Sequence, residues 1–247
     1  MNKIIAPLAL LAWMASLASA ADAPSTNISP WKTTLSAGVT LTDGNSKTLK
    51  NNANFLVEGE KDLMGSIRAG VEANYGKSTV EDKEGVDTDN AKAFANVKKT
   101  ISARTFAYGD TSVLYDTIAK VNHRITIGPG AGIYLIKNDN TALSTELGPS
   151  YIWENKADIS SKYVALRVAE RLDQTLSATA KCWQSLEYLP KIDDYENNLL
   201  ITELGVEAAV NSHIALRLVF QDKYDSKPGA GLKSNDLTFI GGLSLKL

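Results

Sequence analysis

Ile214-Ala215-Leu216-Arg217-Leu218-Val219-Phe220-Gln221-Asp222-Lys223 places large apolar side chains at Leu216, Leu218 and Phe220 and polar ones at Arg217, Gln221 and Lys223. A period of two over a run of this length marks a β-strand whose two faces meet unlike surroundings. After the turn-rich Asp225-Ser226-Lys227-Pro228-Gly229-Ala230-Gly231 the pattern resumes at Leu237, Phe239, Gly241, Leu243, Leu245 and Leu247, opposed by Asp236, Thr238, Ser244 and Lys246. The last strand of such a hairpin exposes an edge unless something pairs with it, and closing a barrel against the first strand is the simplest solution.

Working outward, the same rule recurs along the chain. Strands are expected over Trp31 to Leu41, Lys47 to Glu58, Leu63 to Lys77, Ala91 to Ile101, Thr105 to Tyr115, His123 to Ile136 and Ala142 to Glu154. They continue over Tyr163 to Leu172, Ala178 to Tyr188 and Asn198 to Val210, and with the opening hairpin the total is about twelve. Thr105 to Tyr115 mixes sizes on both faces, so its orientation stays open. Ser78 to Asn90 is charged and aperiodic and is expected to be a mobile loop. Connections near Gly59 to Asp62, Ser102 to Arg104, Lys137 to Thr141, Asp173 to Thr175 and Asn211 to His213 are short. The others, Asp43 to Ser46 excepted, are longer: Ser78 to Asn90, Asp116 to Asn122, Asn155 to Ser161, Leu189 to Asn197 and Asp225 to Ser234. An even strand count with short turns at one end and long loops at the other is the plan of an outer-membrane barrel.

The start of the chain agrees with export. Lys3, the apolar run Ile4 to Leu17 and the small residues Ala18-Ser19-Ala20 form the n-region, h-region and cleavage site of a secretory signal. Residues 1–20 are therefore expected to be removed between Ala20 and Ala21, leaving 21–30 as a short periplasmic leader and 31–247 as the barrel. Removal of Lys3 leaves 25 basic against 28 acidic side chains, from 26 and 28 in the full chain, a formal charge of −3 that argues against nucleic acid as a partner. Cys182 is the only cysteine, so no intramolecular disulfide holds this exported chain together.

Alternation alone does not say which face points outward, because a lipocalin-type barrel alternates with its apolar face inside. One face collects Arg68, Glu72, Arg124, Glu146, Arg167, Arg171, Lys181, Glu187, Glu203, Glu207, Arg217 and Lys223, in mixed sign. The other carries aromatics near strand ends, at Trp31, Tyr75, Tyr151, Trp153, Tyr188 and Tyr224, as interfacial belts require. This favours an all-β, closed antiparallel transmembrane barrel with those twelve charges lining the lumen.

Gly44-Asn45-Ser46, Gly128-Pro129-Gly130-Ala131-Gly132-Ile133-Tyr134, Gly148-Pro149-Ser150-Tyr151, Leu166-Arg167 and Gln221-Asp222-Lys223-Tyr224-Asp225-Ser226-Lys227-Pro228 add a likeness. In these motifs and their order the chain resembles a family of uncharacterised bacterial outer-membrane proteins, classed as a domain of unknown function and often called salt-induced outer-membrane proteins. The resemblance implies an outer-membrane β-barrel without an assigned activity and a link to salt or osmotic stress.

Candidate sites carry ordinary readings beside functional ones. Gly128 to Gly132 looks like a phosphate loop, but such loops lead into a helix, and here a strand follows; alternate glycines in a barrel wall give room to a large side chain. The two histidines, His123 and His213, fall at opposite ends of the expected barrel, which disfavours a hydrolase centred on His123. Asp82, Glu84, Asp87 and Asp89 lack calcium-loop spacing, so weak divalent-cation binding by the loop 79–90 is a minor expectation. No catalytic residue, cofactor or metal site is assigned. The expected partners are outer-membrane lipid, lipopolysaccharide and the barrel-assembly machinery, and the expected function is a non-enzymatic envelope barrel with a narrow, weakly selective pore. An outer-membrane barrel enzyme of phospholipase or protease type, and a soluble exported barrel binding an apolar ligand, stay open as alternatives.

Overall fold

A computed structural model describes residues 31–42, 46–61, 65–80, 83–229 and 231–246. The expected signal peptide, its cleavage site and the leader lie outside the described residues. The chain forms β1 (Trp31–Thr42), β2 (Ser46–Lys61), β3 (Gly65–Val80), β4 (Lys83–Thr100), β5 (Thr105–Asp116) and β6 (Val121–Lys137). It continues with β7 (Thr141–Lys156), β8 (Ile159–Thr175), β9 (Ala180–Lys191), β10 (Asp194–Ala209), β11 (Ile214–Asp225) and β12 (Asn235–Lys246). Each strand pairs with its sequence neighbours, and β12 pairs antiparallel with β1 from Thr34↔Lys246 to Gly38↔Gly242. Closure leaves no edge, so the ladder satisfies the backbone groups around the whole wall.

The register decides which face is which. Ser36, Asn54 and Glu72 pair in one row across β1, β2 and β3, and Glu203, Gln221 and Thr238 in another across β10, β11 and β12. Ser36, Asn54, Tyr108, Glu146, Arg167, Trp183 and Glu207 on this phase are all buried. The opposite phase carries Leu35, Val71, Val97, Ile127, Leu147, Val168, Leu216, Leu218, Phe220, Phe239 and Leu243, all exposed. Apolar side chains therefore face outward, the reverse of a lipocalin-type barrel. The orientation of β5 is resolved too: Phe106, Tyr108 and Asp110 point in, Val113 and Tyr115 out.

Two expectations need correction. Ser78 to Asn90 is not a loop: β3 runs to Val80 and β4 begins at Lys83, with a bulge that shifts the register between Gly76 and Lys77. The connections read as long after β5, β7 and β9 likewise shrink to residues 117–120, 157–158 and 192–193, because the strands run on through them. Only 226–234 remains long. The physical reason is that a strand with solvent on both faces loses its apolar alternation while its ladder hydrogen bonds persist. The outward aromatics are also unevenly spread. Tyr75, Tyr151, Trp153, Tyr188 and Tyr224 sit toward the end bearing 226–234, and Trp31 toward the end with the short turns. Inside the wall at the 226–234 end, Ile152, Ala165, Leu189 and Leu199 form a small apolar cluster against Tyr163.

Candidate functional site: the charged lumen

Strand pairing brings inward side chains about 4.8 Å apart from strand to strand, within reach of their neighbours and, for long ones, of more distant strands. The centre of the network is Arg167 on β8, 7% exposed. Its Nη1 donates to Glu146 Oε2 at 2.7 Å, its Nε donates to Glu187, and Asp110 Oδ1 on β5 lies 4.0 Å away. Lys98 from β4 meets the other Glu146 oxygen at 2.7 Å, and the guanidinium lies 5.1 Å over the Tyr108 ring. Charges of both signs from β4, β5, β7, β8 and β9 thus neutralise one another in one cluster.

The remaining expected charges fall around it. Arg68 lies 3.5 Å from Glu58 and within electrostatic reach of Arg171 and Glu203 on distant strands. Arg171 grips Asp173 through Nε at 2.8 Å and Nη2 at 2.6 Å. Glu203 accepts from Trp183 Nε1 at 2.6 Å and Gln221 Nε2 at 2.8 Å. Glu207 gathers Lys181 at 3.5 Å, Lys246 at 3.6 Å and the Ser244 hydroxyl at 3.2 Å. Arg124 Nε donates to Glu154 at 2.8 Å, and Lys223 sits opposite Asp236. Arg217 lies 4.8 Å over Trp183 and reaches Ser36 Oγ only at 3.4 Å, while Glu72 has no hydrogen-bond or ion-pair partner among the described residues.

Ion pairs tie well-separated strands together at three levels. At the short-turn end Lys137 on β6 meets Glu60 on β2 at 2.8 Å. Midway, Lys98–Glu146 and Arg167–Asp110 each join strands three apart. At the other end Lys156 on β7 meets Asp225 on β11 at 2.9 Å, with Arg124 at 3.6 Å from the same carboxylate. Outside the wall, Lys227 donates to Asp194 at 2.6 Å, which raises the pKa of that exposed lysine.

Lys98, Asp110, Asp173, Lys156 and Asp225 were missing from the sequence-derived set. Lys98 was legible from phase, since Ala91, Ala93, Ala95 and Val97 mark the outer face of its strand. Asp110 lay in the run of open orientation, and Lys156 and Asp225 in stretches that read as loop. An amide ladder was missed as well: Asn52 Nδ2 donates to Asn74 at 2.6 Å and Asn74 Nδ2 to Asn90 at 2.9 Å.

The glycine run is part of the wall. A Cβ at Gly130 would overlap the Tyr108 ring and one at Gly132 the Phe106 ring, so these glycines make room for aromatics that turn into the lumen. His123 is exposed on β6, one step from Asn122, and His213 sits in the exposed β10–β11 turn with Ser212 Oγ 2.9 Å from its Nδ1. The structure does not bring the two together. Asp82 and the Glu84 side chain lie outside what is described. Among the described residues no group of three or more His, Cys, Asp or Glu converges as metal ligands would.

Residues 35–246 match a family model described as "Protein of unknown function, DUF481". Among solved structures, the NanC porin is similar with a TM-score of 0.55 and 8% identity, over 87% of this chain and 100% of that one. The translocator domain of autotransporter NalP from Neisseria meningitidis has a TM-score of 0.48 and 13% identity, over 87% and 86%. The KdgM porin has a TM-score of 0.46 and 7% identity, over 88% and 99%. No curated protein is significantly similar to the chain.

Proposed function

This chain belongs to the family described as protein of unknown function, DUF481, and from that premise we propose that it is a non-enzymatic barrel of the bacterial outer membrane whose lumen is a narrow, weakly ion-selective pore. One observation carries the reading: around the whole barrel the exposed phase is apolar and the enclosed phase is charged and polar. An apolar outer wall suits lipid, and a polar interior suits water and solute. The short-turn end, which holds both strand termini of the barrel, would face the periplasm, and the 226–234 end would contact lipopolysaccharide. Similarity in fold to the NanC porin supports a pore over an enzyme.

The pore is narrow for two reasons. Twelve strands enclose less than the 16 to 18 of porins with wide aqueous channels, and arms such as Arg167 and Lys98 reach across it. It is weakly selective because carboxylates and cations alternate and their fields cancel within a Debye length of ~8 Å at physiological salt. The test is single-channel conductance and reversal potential of the purified barrel in a salt gradient. Small currents with a reversal potential near zero are expected; large, strongly ion-selective currents would replace this reading with a dedicated ion channel. The link to salt stress comes from the family resemblance, and its check is the amount of the protein in cells shifted to high salt.

A further inference from the structure

Among the described connections at its end of the barrel, 226–234 is the longest, and it does not stand up from the rim. Its base belongs to the sheet: Asp225 N donates to Ser234 O at 2.8 Å, Ser226 N to Asn198 O at 3.0 Å, and Asn198 N to the Ser226 hydroxyl at 2.7 Å. Beyond that base the chain turns across the opening. Gly229 is buried, and a Cβ on it would lie 3.8 Å from Lys120 Cδ and 3.9 Å from the Ala119 carbonyl oxygen. Ala119 and Lys120 belong to the turn between β5 and β6, whereas the connection leaves β11 and returns to β12. In the closed ring β11 stands diametrically opposite β5, and β12 opposite β6, so the contact at Gly229 spans the width of the barrel.

Side chains hold the crossing limb where the ladder does not. Asp225 Oδ1 accepts from Lys227 N at 2.9 Å, while its Oδ2 accepts from Lys156 Nζ of β7 at 2.9 Å and lies 3.6 Å from Arg124 Nη2 of β6. Lys156 Nζ also donates to the Lys227 carbonyl oxygen at 2.7 Å, and Lys227 Nζ donates to Asp194, at the start of β10, at 2.6 Å. The far end is a tight turn of its own, with Leu232 N donating to Gly229 O at 2.9 Å. The apolar cluster of Ile152, Ala165, Leu189 and Leu199 sits on β7 to β10, the sector from which Lys156 and Asp194 hold the limb, so that sector of the mouth is both filled and crossed.

The two kinds of attachment differ in how they release. The base opens only if the β11–β12 ladder does, whereas ion pairs in reach of water are individually weak. The side chains of Lys156 and Asp225 are 17% and 23% exposed, and those of Lys227 and Asp194 49% and 35%. From this arrangement we propose that residues 225–234 form a strap that constricts the mouth of the pore, and that release of the Lys156–Asp225 and Lys227–Asp194 latches widens it while the wall stays closed. The effect on flow rests on the pore reading; the seat of the strap across the mouth does not.

Two measurements separate them. Lys120→Cys with Gly229→Cys sets two thiols against each other where the strap meets the far rim, and a side chain at Gly229 has only the end of Leu232 to displace, at 3.2 Å. Cys182 is buried, so the parent chain serves as the control. A short bifunctional thiol reagent should bridge the pair in the folded barrel in detergent, read by mass spectrometry of the joined peptides, and adding Lys156→Gln with Asp225→Asn should lower the bridged yield several-fold. In planar bilayers, the Lys156→Gln and Asp225→Asn double variant should show several-fold higher single-channel conductance than the parent. Deletion of 227–232, which leaves Ser226-Lys233 as a short turn on the same base, should do the same. Bridging the cysteine pair should return the latch variant to the parent's level. Heat-modifiable migration on gels shows that each variant folds. Efficient bridging with no current in the parent or in the deletion variant would overturn the pore, and with it the strap's part in flow, and leave its seat standing. Equal currents with and without 227–232, or a pair that does not bridge in a barrel that conducts, would overturn the strap and leave the pore.

Discussion

Arg167 shows most clearly how single side chains hold this interior. It is shared by Glu146, Glu187 and Asp110 and packs over Tyr108, so its removal leaves three carboxylates facing one another with Lys98 as the nearby cation. Breaking a buried ionic network from one side costs about 3 to 5 kcal/mol. Arg167→Ala should lower stability by about 3 kcal/mol in reversible urea unfolding from lipid vesicles followed by tryptophan fluorescence. It should also raise single-channel conductance, since the arm that spans the lumen is gone. Arg167→Lys keeps a charge but cannot serve two carboxylates in the same fork geometry, and should lie between. Gly132 makes a second residue-scale case. A side chain there would overlap the Phe106 ring, which is fully buried, so Gly132→Val should sharply reduce the yield of folded barrel, whereas Gly85→Ala, where a Cβ meets open space, should not.

At the scale of the strand, β11 carries both environments side by side. Leu218 is 52% exposed on the outer phase, whereas Gln221 points inward and donates to Glu203. An arginine on a lipid-facing position near the midplane costs roughly 2 to 4 kcal/mol, and one entering a wet lumen much less. Leu218→Arg should therefore impair folding into bilayers more than Gln221→Arg, as read by the folded fraction on unheated gels; the reverse order would mean that the outer face does not meet lipid. The far end of the β3–β4 hairpin obeys another rule, held by ladder pairing from Lys77↔Val86 to Val80↔Lys83 and not by apolar burial. Shortening it by deletion of 79–84 should leave insertion and heat-modifiable migration unchanged.

The whole molecule owes its closure to β1 and β12, which share, among the described residues, the shortest run of paired positions, Thr34 to Gly38 against Gly242 to Lys246. A closed ladder has no edge from which to unzip, so the unheated protein should resist dodecyl sulfate and migrate differently from the boiled one. Placing prolines at Leu35 and Ala37 removes two backbone donors from this seam, and should abolish the mobility difference at lower temperature than in the unmodified protein.

Strand number, the two-faced character of the wall and the mixed-sign charge set were written in the period of two, because a residue's phase within a strand follows from its position alone. The residues of that set share one phase, and this much needed no coordinates. Which phase faces outward was a different matter, since a membrane barrel and a lipocalin-type barrel share the alternation; only the closed register, with Leu218 outside and Arg167 inside, decides it. The strand extensions of β3 and β4 were hidden because two wet faces erase the apolar signal while the ladder remains. Pairing choices were hidden for a further reason. Lys98 with Glu146 and Lys156 with Asp225 depend on which strands curve round to face one another. Those are properties of the closed cylinder, and no local stretch of the chain contains them.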